Sequence, residues 1–171
     1  MLDIAERSGA LMPAGEDDRA LTRSWVFAAL NSVEPALAEV TVADVFLEDE
    51  KVAEGYRPFA EKQAKERLGQ LSEALGDREW LVGEAFSVAD LLMASVTKIV
   101  RHTDLVEGHA NLAAWRDRCF ARPAYRAAIA EQCADFEGYG PGDMGWPEEL
   151  AKADPMPKPR TSTKSHQGED A

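Results

Sequence analysis

The apolar positions of this chain recur at steps of three and four residues, the spacing of a helix that buries one side. The first stripe comprises Trp25, Val26, Leu30, Val33, Leu37 and Val40. Pro35 lies inside it, and because proline has no N–H to donate to the carbonyl four residues earlier, we expect a bend there. The second stripe comprises Ala60, Ala64, Leu68, Leu71 and Leu75, with Pro58 near the predicted start of its helix and Gly76 at the predicted end.

The most apolar part of the chain predicts a third helix that is buried nearly all the way round. It runs from Val88 to Val100. Ser87 and Asp90 stand at its start with the spacing of a capping box, in which each side chain accepts a hydrogen bond from the backbone N–H of the other. We interpret Ser87 and Asp90 as this structural capping box; a catalytic base is the alternative role for Asp90.

Two shorter helices complete the predicted fold. One carries Leu112, Trp115 and Cys119 on its inner side, and the next begins at Pro123. Because no stretch shows the alternation typical of strands, the predicted fold class is all-α. The last 35 residues hold five of the nine prolines and five of the twelve glycines, so residues 137–171 are predicted to be a mostly disordered tail.

The net charge and the cysteines of the chain limit which partners, metals and cellular compartments are expected. With 31 acidic and 19 basic side chains the formal net charge is −12, which argues against nucleic acid or an anionic membrane as a partner. Cys119 and Cys133 form no CxxC pair and no metal-ligand cluster with the three histidines. The start of the chain does not resemble a signal peptide, and no uninterrupted apolar run approaches a membrane span. These features predict a cytoplasmic protein without a bound metal.

Several motifs, in this order, resemble the C-terminal domain of glutathione S-transferases. Trp80-Leu81-Val82-Gly83 followed by Phe86-Ser87-Val88-Ala89-Asp90 is similar to the start of the central helix of that domain. Further similarity lies in residues 23–35, 111–115, 118 and 121–125. One departure is Ala110, where the family often has proline. The resemblance implies a helical bundle of the glutathione S-transferase C-terminal type.

The resemblance covers only part of a glutathione S-transferase. Residues 1–13 are similar to the end of the last helix of the family's thioredoxin-like domain and its linker, and residues 14–136 to the helical domain. The thioredoxin-like half that binds glutathione, with its activating Tyr, Ser or Cys, has no counterpart in the sequence. We therefore expect an N-terminally truncated protein with no catalytic residue. Glutathione would be the co-substrate of the full-length parent and would not bind this chain alone.

The resemblance also implies where a second substrate would lie. The family's helical domain lines a site for a hydrophobic electrophile, and the candidates here are Phe27, Asn31 and Glu34 on the first helix, with Lys98 on the central helix. Alternatively, Phe27 packs against other protein while the charged residues are simply solvated.

Two further alternatives concern the histidines and the function as a whole. His102 and His109 could be a base or a ligand pair, but a histidine at a helix end is favoured for His102.

Family members are usually homodimers. The rival function is a non-catalytic protein–protein interaction module, a use known for this domain in some translation elongation-factor subunits and aminoacyl-tRNA synthetases.

Overall fold

The structure, a computed structural model, describes residues 1–134, with side chains for residues 1–132. Its α-helices are α1 (Leu2–Ser8), α2 (Glu16–Ala28), α3 (Glu34–Thr41), α4 (Glu50–Leu75), α5 (Val88–Thr97), α6 (Ala110–Ala121) and α7 (Pro123–Ala134). The described residues contain no strand, and the predicted all-α fold is confirmed. The predicted disordered tail lies outside the described residues. The chain divides into two compact units, Met1–Arg122 and a second that begins at Pro123, of which α7 is described.

The first predicted helix is one helical run from Glu16 to Phe46 that accommodates its proline without a break. A π-turn, Ala29–Val33, joins α2 to α3, and a second π-turn, Val42–Phe46, follows α3. In the first π-turn the N–H of Glu34 bonds the carbonyl of Ala29, five residues back. Pro35 follows directly, in the first turn of α3, where a missing N–H costs least. The expected irregularity at Pro35 is therefore a π-turn on its N-terminal side.

The buried face of this run differs from the predicted stripe at two positions, Leu30 and the half-buried Trp25. Its buried members are Thr22, Val26, Ala29, Val33, Leu37, Val40 and Ala43. Leu30 was expected among them but is 43% exposed, because the small Ala29 takes the inward position beside the π-turn. Leu30 thereby joins the opposite, exposed side of the run.

The run from Glu16 to Phe46 is also long and apolar enough to cross a membrane, judged by length and composition alone. Its most apolar window has a mean hydropathy of 1.3 and is 33% buried inside the fold. A single helix of this kind is weak evidence for a membrane span, since core helices of soluble proteins can have the same composition.

The second predicted helix begins eight residues before Pro58. Asp49 caps α4, its side chain accepting from the N–H groups of Lys51 and Val52. The prediction that Pro58 lies near the helix start is therefore wrong: this capping signal fixes the start, and Pro58 lies inside the helix on its exposed side. The predicted buried stripe of α4 and its end at Gly76, with φ 56°, are confirmed.

Helix α5 lies at the centre of the first unit, as its composition predicts. It packs against α2, α3, α6 and the first π-turn, and Ser95 is its only exposed residue. The predicted inner residues of α6 are buried around it: Leu112, Trp115 and Cys119. Helix α7 begins at Pro123 as predicted.

Candidate functional site

An exposed stripe follows the helical run on the side opposite its buried face. Phe27 and Leu30 are 59% and 43% exposed, Asn31 is exposed and Glu34 is half-buried. These four positions have the spacing i, i+3, i+4 and i+7, so they share one side of the helix. Packing within the described residues leaves both apolar side chains largely in contact with solvent. We call these four residues the exposed stripe.

The first π-turn runs through the exposed stripe. Leu30 and Asn31 lie within this π-turn, and Glu34 is the residue that closes it. The wider turn changes the angle at which the flanking side chains leave the helix, and such π-turns occur often at functional sites. The exposed stripe therefore combines exposed apolar side chains with the irregular turn of the helical run.

Lys98 lies on a different element from the other three predicted site residues. It begins the 3₁₀ turn Lys98–Val100 after α5. That turn packs against α3, the helix that Glu34 begins, and the Thr41 hydroxyl donates to the carbonyl of Ile99 at 2.9 Å. This contact lies at the C-terminal end of α3, whereas Glu34 stands at its N-terminal end. The part of both charged candidates in substrate binding stays a prediction.

The predicted capping box is present, and Asp90 does more than cap a helix. Both reciprocal Ser87–Asp90 bonds form, and both side chains are buried. One oxygen of Asp90 accepts from the backbone N–H and hydroxyl of Ser87, each at 3.0 Å. The other accepts from the N–H of Leu81 at 2.8 Å and the indole Nε1–H of Trp115 at 3.0 Å. Four N–H and O–H groups donate hydrogen bonds to this fully buried carboxylate, so its role is structural.

A buried hydrogen bond between two side chains, which the sequence did not reveal, joins the second π-turn to the segment after α5. Oδ2 of Asp44 lies 3.0 Å from Nε2 of His102, and both side chains are about nine-tenths buried. Oδ1 of Asp44 accepts from Arg57 at 2.6 Å. Fifty-eight positions separate Asp44 from His102, and no local pattern signals such a pair. The structure thus gives His102 a defined partner in place of a general helix-end role.

The chemistry of the described thiol is that of a buried core residue. The pKa of the Cys119 thiol is raised to about 12, chiefly by burial and next by the nearby Asp90 carboxylate, while Arg118 and Arg122 act in the opposite direction. A nucleophilic thiolate needs the opposite shift. Among the described residues, no group of three or more His, Cys, Asp or Glu side chains could hold a metal ion.

Comparison with known proteins gives a consistent result. Residues 41–123 match the model of the family described as "Glutathione S-transferase, C-terminal domain". The chain is 30% identical over 80 residues to glutathione S-transferase GstA of Escherichia coli O157:H7, a match that covers 46% of this chain and 40% of that protein. It is 33% identical over 126 residues to the hematopoietic prostaglandin D synthase of Gallus gallus, covering 67% of this chain and 63% of that protein.

The fold is also similar to that of a solved glutathione transferase. The structure from Burkholderia graminis, with two glutathione molecules bound per subunit, superposes with a TM-score of 0.68 at 22% identity. The match covers 74% of this chain and 55% of that one. The chain thus spans about 40% to 63% of the length of the proteins named.

Proposed function

Because this chain carries the C-terminal domain of the glutathione S-transferase family, we propose that it forms the hydrophobic-substrate side of a glutathione-dependent site. The reaction would be conjugation of glutathione to a hydrophobic electrophile, or reduction of that electrophile. The exposed stripe supports this proposal most directly, since it offers apolar area beside a carboxylate and an amide. Phe27 would contact the electrophile, and Asn31, Glu34 and Lys98 would orient its polar groups.

The proposed division of labour follows from the chemistry of the thiol. Free glutathione at neutral pH is only a few per cent thiolate, so the reaction needs a group that lowers its pKa. The described thiol, Cys119, is buried with a raised pKa and would not serve. We propose that a thioredoxin-like domain activates glutathione, and that the helical domain is inactive without it.

Assembly and location are part of the same proposal. Homodimerisation is typical of the family, and the exposed apolar side chains Phe46, Val52 and Phe59 on the second π-turn and α4 are consistent with an association surface. Sedimentation equilibrium would measure the oligomeric state. A cytoplasmic location is supported by Cys119, a free buried thiol suited to a reducing compartment.

The experiment compares the chain alone with the chain joined at its N-terminus to a thioredoxin-like glutathione-binding domain. We expect no conjugation of a chlorinated nitrobenzene above the uncatalysed rate by the chain alone, and turnover by the joined protein. Phe27→Ser should lower kcat/KM about tenfold, since a buried aromatic contact is lost. Leu21→Ser is the control, because Leu21 is an exposed apolar residue of the same helical run, at 43%, that lies outside the stripe.

The possible outcomes separate the proposal from its rival. Equal effects of the two substitutions would show that the stripe does not contact the electrophile. A folded joined protein that binds glutathione but does not catalyse conjugation would favour the non-catalytic interaction module. Turnover by the chain alone would contradict the proposed need for a thioredoxin-like domain.

A further inference from the structure

Two arginines at the C-terminal end of α6 rest on aromatic rings of the segment that precedes α5. The guanidinium carbon of Arg118 lies 5.8 Å from the centre of the Trp80 ring, and that of Arg122 lies 3.8 Å from the centre of the Phe86 ring. The two rings contact each other edge to face, with centres 5.3 Å apart and an interplanar angle of 85°. We call Arg118 and Arg122 the arginine pair.

Arg118 lies in the last turn of α6, and Arg122, four positions later, is the residue that follows the helix. Residues at i and i+4 have side chains that begin about 6 Å apart. Both guanidinium groups lower the pKa of the Cys119 thiol, which places both positive charges near that one residue. The two like charges repel each other, although the C-terminal end of a helix favours cations over anions.

The guanidinium groups of the arginine pair have few partners in the described part of the chain. Neither forms an ion pair there, and that of Arg122 makes no hydrogen bond there. Arg118 uses Nη2 to donate to the carbonyl of Glu79 at 3.0 Å, while its Nε is buried without a partner. Two guanidinium groups carry ten N–H donors. Most of those of the arginine pair therefore have no acceptor among the described residues. The contrast is Arg116 on the same helix, which pairs with both Glu107 and Asp117.

We propose that the arginine pair binds a small molecule that carries two oxyanion groups, carboxylate or phosphate. Guanidinium groups donate two parallel hydrogen bonds to such groups, and the ring contacts restrict the two side chains before a ligand arrives. One oxyanion on each guanidinium would relieve the repulsion and use the free donors. Short dicarboxylates and pyrophosphate are small molecules that carry two such groups. The site is separate from the exposed stripe and does not depend on the proposed transferase role.

Calorimetric titration of the full chain tests the proposal, with sodium pyrophosphate in one arm and sodium malonate in the other. Ionic strength is held constant with sodium chloride. We expect saturable binding of at least one probe, and the arm that binds identifies the oxyanion as phosphate or carboxylate. Arg118→Gln and Arg122→Gln should each weaken binding about tenfold or more, the effect of losing charge-assisted hydrogen bonds. Arg116→Gln, which removes the same charge from the same helix, should leave the affinity unchanged.

A second variant separates ligand binding from a purely structural clamp. Arg122→Lys keeps the charge but loses the planar fork, so it should weaken binding while the protein stays folded by circular dichroism. Binding that Arg116→Gln weakens as much as the other substitutions would overturn the proposal. So would the absence of saturable binding of both probes, even if Arg122→Gln lowered the thermal midpoint.

Discussion

The indole Nε1–H of Trp115 donates to Oδ1 of Asp90 at 3.0 Å, across 25 positions of sequence. The bond ties α6 to the first turn of α5, and neither residue is exposed to solvent. Asp90 therefore connects three parts of the fold: its own helix through Ser87, the preceding segment through Leu81, and α6 through Trp115. A residue that begins one helix also fixes the position of another.

Removal of the Asp90 carboxylate should destabilise the protein strongly. Asp90→Ala leaves four buried donors without an acceptor, and we expect a loss of about 3–5 kcal/mol in the free energy of unfolding. Ser87→Ala removes the cap and one of the four donors to Asp90, and should cost less, about 1–2 kcal/mol. Equilibrium urea unfolding measures both, with the exposed Asp104→Ala as control. Equal losses for Asp90→Ala and Ser87→Ala would contradict the connecting role.

The Trp115 bond itself can be isolated by a double-mutant cycle. Trp115→Phe keeps the apolar ring but removes the donor, which should cost about 1–3 kcal/mol in the wild-type background because a buried carboxylate oxygen loses a partner. In the Asp90→Ala background, where no side-chain acceptor remains, the same substitution should cost at least about 0.5 kcal/mol less. Additive losses would mean that Trp115 acts through packing alone.

Stability should decline at alkaline pH through Cys119. Burial raises the pKa of this thiol from 9.0 to about 12, so the unfolded chain releases its proton at a lower pH than the folded chain. The stabilisation is thus fully present below pH 9 and is lost as the pH rises towards 12, by at most about 1.4 kcal/mol per pH unit. Urea unfolding between pH 7 and pH 10.5 measures the slope of the unfolding free energy against pH. The slope should be less steep for Cys119→Ala, because that variant lacks this titration. Parallel slopes would show that Cys119 contributes nothing.

Leu11 offers a test of backbone strain in the linker between α1 and α2. Its φ is 60°, the only positive value at a described residue other than glycine, while its carbonyl accepts from the N–H of Val88 at 2.8 Å. Leu11→Gly should be about 1 kcal/mol more stable than Leu11→Ala, because only glycine adopts this conformation without strain. Thermal melts of the two variants give the difference, and an alanine variant as stable as the glycine variant would argue against strain.

Phe27 should be dispensable for folding. Its side chain is 59% exposed, so Phe27→Ser should change the free energy of unfolding by no more than about 0.5 kcal/mol. Val26→Ser, one position along on the buried face, should cost several times more, about 2–3 kcal/mol. Urea midpoints compare them, and a large loss for Phe27→Ser would place this residue in the core instead of the exposed stripe.

Much of this architecture was determined by the sequence because it depends on local chemistry. Leu68, Leu71 and Leu75 recur at the period of one helix face, and they are buried together. Ser87 and Asp90 lie three residues apart, within reach of each other as soon as one turn forms, so their capping box could be predicted. The end of α4 at Gly76 could also be predicted, because a local residue determines it.

Only the tertiary structure decided the remaining features, because they depend on what a side chain meets across the fold. Leu30 fits the apolar stripe in sequence, yet the π-turn before Pro35 gives Ala29 the inward position. The contacts of Asp90 with Trp115, and of Asp44 with His102, join residues distant in sequence. Helical periodicity specifies which residues share a face, but packing of the neighbouring helices determines which face is covered and which acceptor a buried donor finds.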